Sequence, residues 1–166
     1  MEVVLPLLKD YERPVIEAGT HSLTALIDTG AMIPMLTLSG KEVETAFSGE
    51  KVMEKVFCFD IYGGHRGDIY RLPEFDIGGI VFAPLDVFVP EHRVLNFWML
   101  ISGSMFYNYH YSIDMHKRSF TIDMPEDRRQ IDFRIKMLSD RLYPQVDGEV
   151  IDNTCPIITE GRLWGM

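Results

Sequence analysis

The sequence predicts an all-β domain with a C-terminal helical extension, and three observations lead there. Through residue 124 the chain is a succession of short apolar or alternating segments punctuated by Gly and Pro, the texture of strands joined by turns. After Pro125 the apolar spacing lengthens to that of a helix face. The composition can fill a core: of 166 residues 46% are hydrophobic and 25% charged. Such a balance excludes a disordered tail, a collagen-like repeat and a coiled-coil rod.

The elements follow in order. Val3–Leu8 and Val15–Ala18 are short apolar segments on either side of Pro14, and Gly19-Thr20-His21-Ser22 turns into an apolar strand, Leu23–Asp28. Glu42–Glu54 is mixed, with Val43, Ala46 and Phe47 at helical offsets, and reads as a short helix or an irregular loop. Val56–Ile61 alternates with the two-residue period of a strand. Gly63-Gly64-His65-Arg66-Gly67 reads as a glycine-dense turn, with Asp68–Phe75 as the return strand. Asp76-Ile77-Gly78-Gly79 turns into Ile80–Val89, bounded by Pro90. Phe97–Ile101 is an apolar run ending near Gly103, and Phe106–Tyr111 is rich in aromatics. Tyr111–Met115 and Ser119–Met124 form a hairpin around His116-Lys117-Arg118. Pro125-Glu126-Asp127 then resembles a helix start. Ile131, Ile135, Leu138 and Leu142 fall on one helical face, so a helix over 126–142 is expected, ending before Pro144. The division is residues 1–124 as the main domain and 125–166 as helix and tail.

Charge and cysteines narrow the setting. A net charge of −9 argues against nucleic acid, which needs a basic face to neutralise phosphates. Cys58 and Cys155 form no C-x-x-C pair, so reduced thiols are expected and a zinc ribbon is not. The opening MEVVLPLLKD has Glu2 where a signal peptide carries basic residues, and its apolar run is too short for a membrane span. A cytoplasmic protein that binds neither membrane nor nucleic acid is the expectation.

The stretch with chemical content is Leu26-Ile27-Asp28-Thr29-Gly30-Ala31. It places a carboxylate at the end of an apolar strand, where ionisation requires polar partners. Thr29 can bond locally, and Gly30 lets a backbone N–H approach the carboxylate without a Cβ in the way. The loop either holds an acid in a fixed position or is an ordinary turn after a strand. Other candidates carry less. His65 reads as a solvated residue of the glycine turn, and His110 and His116, without metal-ligand spacing, read as surface or hairpin residues. Gly63-Gly64-x-x-Gly67 lacks the lysine and the strand–turn–helix context of a phosphate loop. Phe106, Tyr107, Tyr109 and Tyr111 read as core.

Leu26-Ile27-Asp28-Thr29-Gly30-Ala31 resembles the active-site loop of retropepsin-like aspartic proteases. The later features keep the order of bacterial members of that family. A two-stranded segment with a glycine-rich tip, Gly63–Gly67, lies where a flap would lie. Ile77–Phe82 and Leu85–Val89 resemble the strands after the flap. Leu100-Ile101-Ser102-Gly103-Ser104-Met105-Phe106 resembles the second apolar-apolar-glycine segment, which leads into a short helix. Tyr111–Asp114 and Phe120–Ile122 resemble the closing hairpin. The resemblance covers roughly residues 3 to 124. Ser102 departs from it, standing where an apolar residue is usual, and so do His65 and Arg66 at the flap tip.

The resemblance implies an acid-protease-like closed β-barrel and an aspartic endopeptidase. Asp28 would be the catalytic carboxylate, Thr29, Gly30 and Ala31 its loop, and Gly63, Gly64, His65, Arg66 and Gly67 a flap over an extended peptide. Neither metal nor organic cofactor is implied. Two carboxylates sharing a proton are required, and the chain carries a single Asp-Thr-Gly, so a homodimer with one site per pair is expected. Ala31 offers no hydroxyl to the carboxylate, which implies an activity optimum at about pH 5 to 7. The alternative is a non-catalytic peptide-binding or dimerisation module on the same barrel.

Overall fold

A computed structural model describes residues 1–60, 63–93, 96–125, 130–139 and 141–151. Strands dominate. A three-stranded antiparallel sheet is built from β1 (Glu2–Pro6), β10 (His110–Asp114) and β11 (Ser119–Asp123), with β11 in the centre. The larger sheet holds β2 (Val15–Ala18), β3 (Leu23–Asp28), β4 (Met35–Leu36), β5 (Glu50–Asp60), β6 (Gly63–Leu72), β7 (Phe75–Ile77), β8 (Ile80–Pro90), β9 (Met99–Ser102), β12 (Gln130–Leu138), β13 (Arg141–Val146) and β14 (Glu149–Val150). The strand β3 has the bounds its apolar run predicts, and the hairpin around residues 116–118 forms as β10 and β11. Helix α1 (Gly40–Phe47) decides the ambiguous Glu42–Glu54 stretch. Ser39 and Glu42 exchange side-chain-to-backbone bonds in a capping box, and Val43 is the residue it buries.

The core joins the two sheets. Phe106 stands edge-on to Phe82 and Phe120, each at 5.6 Å between ring centres, and all three rings are buried. These geometries suit the ring quadrupole and place Phe106 in the core, with Tyr109 and Tyr111 packed against it, whereas Tyr107 is exposed.

Three expectations are corrected. First, the sheet is not closed. Its path runs from β14 to β2 with no pairing between those edges among the described residues, so the expected barrel is an open, strongly branched sheet. The long strand β8 is the branch point: β7 and β6 pair with it antiparallel, β12 and β4 parallel.

Second, Gly63–Gly67 belongs to a strand and not to a turn. Asp60 pairs with Gly63, Phe59 with Gly64, Cys58 with His65 and Val56 with Gly67. The connection falls at residues 61 and 62, outside the described residues. Gly67 answers a close approach instead. It is buried opposite Pro90, and a Cβ there would run into the Val89 carbonyl. Past this point the β5–β6 ribbon extends beyond the end of β8.

Third, the expected helix over 126–142 is a β-hairpin where it is described, with 126–129 and 140 outside the described residues. Ile131, Phe133 and Ile135 are all buried while Asp132 and Arg134 are partly exposed. Ile131 and Ile135 are four apart and therefore satisfy both a helical face and a strand face. Phe133 breaks the tie, because it would point away from them on a helix. Pro144 lies inside β13. Its carbonyl accepts from Ile151 N, so the side of the residue that lacks an N–H faces β14 and no bond to β12 is lost. The extension thus adds strands to the main sheet. Cys155 and the tail beyond Ile151 lie outside the described residues.

The β10–β11 turn gives a pH prediction. Asp114 Oδ1 accepts from the backbone of Lys117 at 2.9 Å and of His116 at 3.0 Å. The bond from Lys117 is the largest effect and, aided by that from His116, outweighs the opposing effect of burial, so the pKa lies below the usual carboxylate value. A lowered folded-state pKa stabilises above the unfolded value, and that stability disappears as pH falls through the folded value. Stability should therefore decline on acidification below about pH 4, and Asp114→Ala should flatten part of that decline. Thermal unfolding of both proteins from neutral to acidic pH measures it, and identical slopes would refute the assignment.

Candidate active site

The site begins with the course of the chain around β9. β3 lies on one side of β9 and runs parallel to it, while β4 lies on the other side and runs antiparallel. The segment from Asp28 to Pro34 must therefore arch over the C-terminal end of β9. Asp28, the last residue of β3, pairs in register with Ser102, the last residue of β9. A buried apolar strand, with Ala25 and Leu26 at 0% exposure, thus delivers a half-buried carboxylate to the sheet's edge.

Local bonds shape the arch. Gly30 N donates to Asp28 Oδ1 at 3.1 Å, and Ala31 N donates to the Asp28 carbonyl at 3.1 Å. Gly103 follows β9 directly beneath the arch, where any Cβ would press into the Thr29 backbone. Glycine is required there by this approach. Past the arch, Phe88 N donates to the Pro34 carbonyl at 3.0 Å and ties its exit to β8.

Asp28, Thr29, Gly30 and Ala31 therefore form one loop gripped by Gly103. Asp28 and Thr29 are half-buried, Gly30 is exposed, and Ala31 packs against the core. Among the ribbon residues, Gly64 and Arg66 are exposed, His65 is half-buried and Gly67 buried. His110 and His116 are exposed on the β10–β11 hairpin. No group of three or more potential metal-ligating side chains occurs among the described residues, and none of their helices is long and apolar enough to cross a membrane.

Sequence reasoning missed two polar groups. Ser104, on the 3-10 turn Gly103–Phe106, and Ser102 are both buried and share hydrogen bonds with the arch. Asp86, at 0% exposure, is bound by Arg71 and by the β12 backbone. A carboxylate inside the apolar run Leu85–Val89 was the available signal. Hydrogen bonding to Asp86 in turn holds the Arg71 pKa above its ordinary value, outweighing the opposing effect of burial.

No protein-family model matches the sequence, and a search of the curated proteins found no match. Among solved structures, the crystal structure of a retropepsin-like aspartic protease from Rickettsia conorii is similar over 74% of this chain and 89% of that one, with a TM-score of 0.51 and 18% identity. At that identity the likeness is one of fold, and the chain shares its fold with a retropepsin-like aspartic protease.

Proposed function

We propose that the protein is an aspartic endopeptidase whose active centre is completed by two copies of the chain. The observation that carries this reading is the Asp28 loop: a carboxylate at the end of a buried strand, arched over β9 and packed on Gly103, in a chain with this fold. One Asp28 would come from each subunit across a two-fold axis. The pair would share one proton and hold a water between them, the ionised carboxylate taking a proton from that water while the protonated one donates to the scissile carbonyl. The β5–β6 ribbon, with Gly63–Gly67 on its return strand, would cover an extended peptide. The reaction needs no cofactor, since water is the nucleophile and the protons circulate within the dyad.

Incubation with a peptide library, read by mass spectrometry alongside sedimentation analysis, tests the proposal. Cleavage is expected to track the dimer population as the protein is diluted. Cleavage that persists undiminished per chain in a purely monomeric sample would overturn the two-chain site.

A further inference from the structure

We propose that Ser102 and Ser104 form a directional hydroxyl chain that positions the Asp28 loop, so that both are positioning residues for that carboxylate. Ser104 Oγ bonds the Met32 carbonyl at 2.5 Å, and Ser102 Oγ lies 2.8 Å from Ser104 Oγ. A carbonyl can only accept, so the single hydroxyl proton of Ser104 goes to Met32. Ser102 must then be the donor to Ser104. The chain runs one way, from Ser102 through Ser104 to Met32.

Its placement links the two ends of the arch. Ser102 is the register partner of Asp28, whereas Met32 is four residues further along the loop. Between them, Gly103 underlies Thr29. The strand that carries Asp28 and the loop that leaves it are thus tied to the same three residues, 102–104. The exposures of Ser102 and Ser104 are 0% and 3%, so water cannot readily replace a lost partner, and an orphaned buried polar group is costly. Reactive groups must be held to within about half an ångström of their working geometry, and this chain adds such a restraint to the close contact with Gly103.

The direction of the chain makes the prediction specific. Ser104→Ala removes both bonds and strands the Met32 carbonyl and the Ser102 hydroxyl. Ser102→Ala removes one bond and leaves Ser104 donating to Met32. A packing role predicts otherwise, because each substitution deletes one buried oxygen of the same size.

Native-state amide exchange by NMR, on the full chain, reads the positioning directly and does not depend on catalysis. Ser104→Ala is expected to accelerate exchange at Gly30 and Ala31 about tenfold, with a smaller change in Ser102→Ala and none along β10 and β11. Equal effects of the two variants, no acceleration at the loop, or an acceleration shared by β10 and β11 would overturn the proposal. Should Ser104→Ala not fold, localised loop acceleration in Ser102→Ala supports the chain and its absence refutes it. The kinetic consequence rests on the protease reading: kcat falls about tenfold in Ser104→Ala while KM stays within about twofold. An inactive parent with localised acceleration in Ser104→Ala refutes the protease reading and upholds the positioning. An active parent whose kcat is unmoved by Ser104→Ala refutes the positioning and leaves the protease reading standing.

Discussion

Asp28→Asn should cut peptide cleavage by about 10²- to 10⁴-fold and leave the fold intact. The rate loss follows from removing the group that must exchange protons with water and substrate, a contribution of about 10² to 10⁴. The fold should persist because Asp28 makes one side-chain hydrogen bond among the described residues, accepted from Gly30 N at 3.1 Å. An asparagine oxygen can still accept that bond, if more weakly than a carboxylate, and a half-buried site without a buried charge pair rarely costs more than about 1 kcal/mol when changed isosterically. Subunit mixing sharpens the test. If each site needs two Asp28 carboxylates, an equal mixture of parent and variant after random exchange has about a quarter of the activity of the same total amount of parent, whereas a site complete within one chain gives about half. Full activity in Asp28→Asn would sink the mechanism. A parent that binds peptides without cutting them would favour the binding module.

What the sequence revealed was what depends on neighbours in sequence. The strand Leu23–Asp28, the hairpin around 116–118 and the Asp28 loop are each written in a run of a few residues, through alternation, apolar continuity or turn chemistry. The features that were misread depend on distant partners. Ile131 and Ile135 suit a helix as well as a strand, and the choice is made by β8, which offers a parallel edge near Val81–Leu85. Sheet closure depends on whether β14 meets β2, which no local signal reports. The Gly63–Gly67 run looked like a turn because glycines punctuate turns, yet Gly67 is there to pass the end of β8. The two buried polar systems were hidden for the same reason: Ser104 meets Met32 from 72 positions away, and Asp86 meets Ile135 from 49. The pairing with β8 also changes the meaning of the extension. Removal of everything after Met124 would strip a partner from the central strand, so truncation would test folding before it tested regulation.

Arg71→Ala should destabilise the protein more than Asp86→Ala, although both break the same pair. The carboxylate of Asp86 receives Arg71 Nε at 2.8 Å and Nη2 at 3.0 Å, and also the backbone N–H of Ile135 at 2.8 Å. That third bond falls just where the β12–β8 ladder ends, since the last register pair is Phe133 with Leu85. The side chain therefore supplies the acceptor that the departing backbone no longer offers, and fastens the C-terminal hairpin to β8. Removal of Arg71 leaves a charge at 0% exposure with one neutral donor, and breaking a buried pair in this way costs about 3 to 5 kcal/mol. Removal of Asp86 leaves a guanidinium whose side chain is already 32% exposed. That group can turn to water, so the cost reduces to lost packing and the orphaned Ile135 amide, about 2 to 3 kcal/mol. Charge removal from both sides, as in Arg71→Met with Asp86→Leu, leaves no uncompensated ion and should cost less than Arg71→Ala alone. Urea unfolding of the three variants ranks them. If Asp86→Ala proved the worst of the three, the amide bond to β12 would outweigh the ion pair. The carboxylate would then matter first as a substitute for the missing strand partner and only second as a counter-ion.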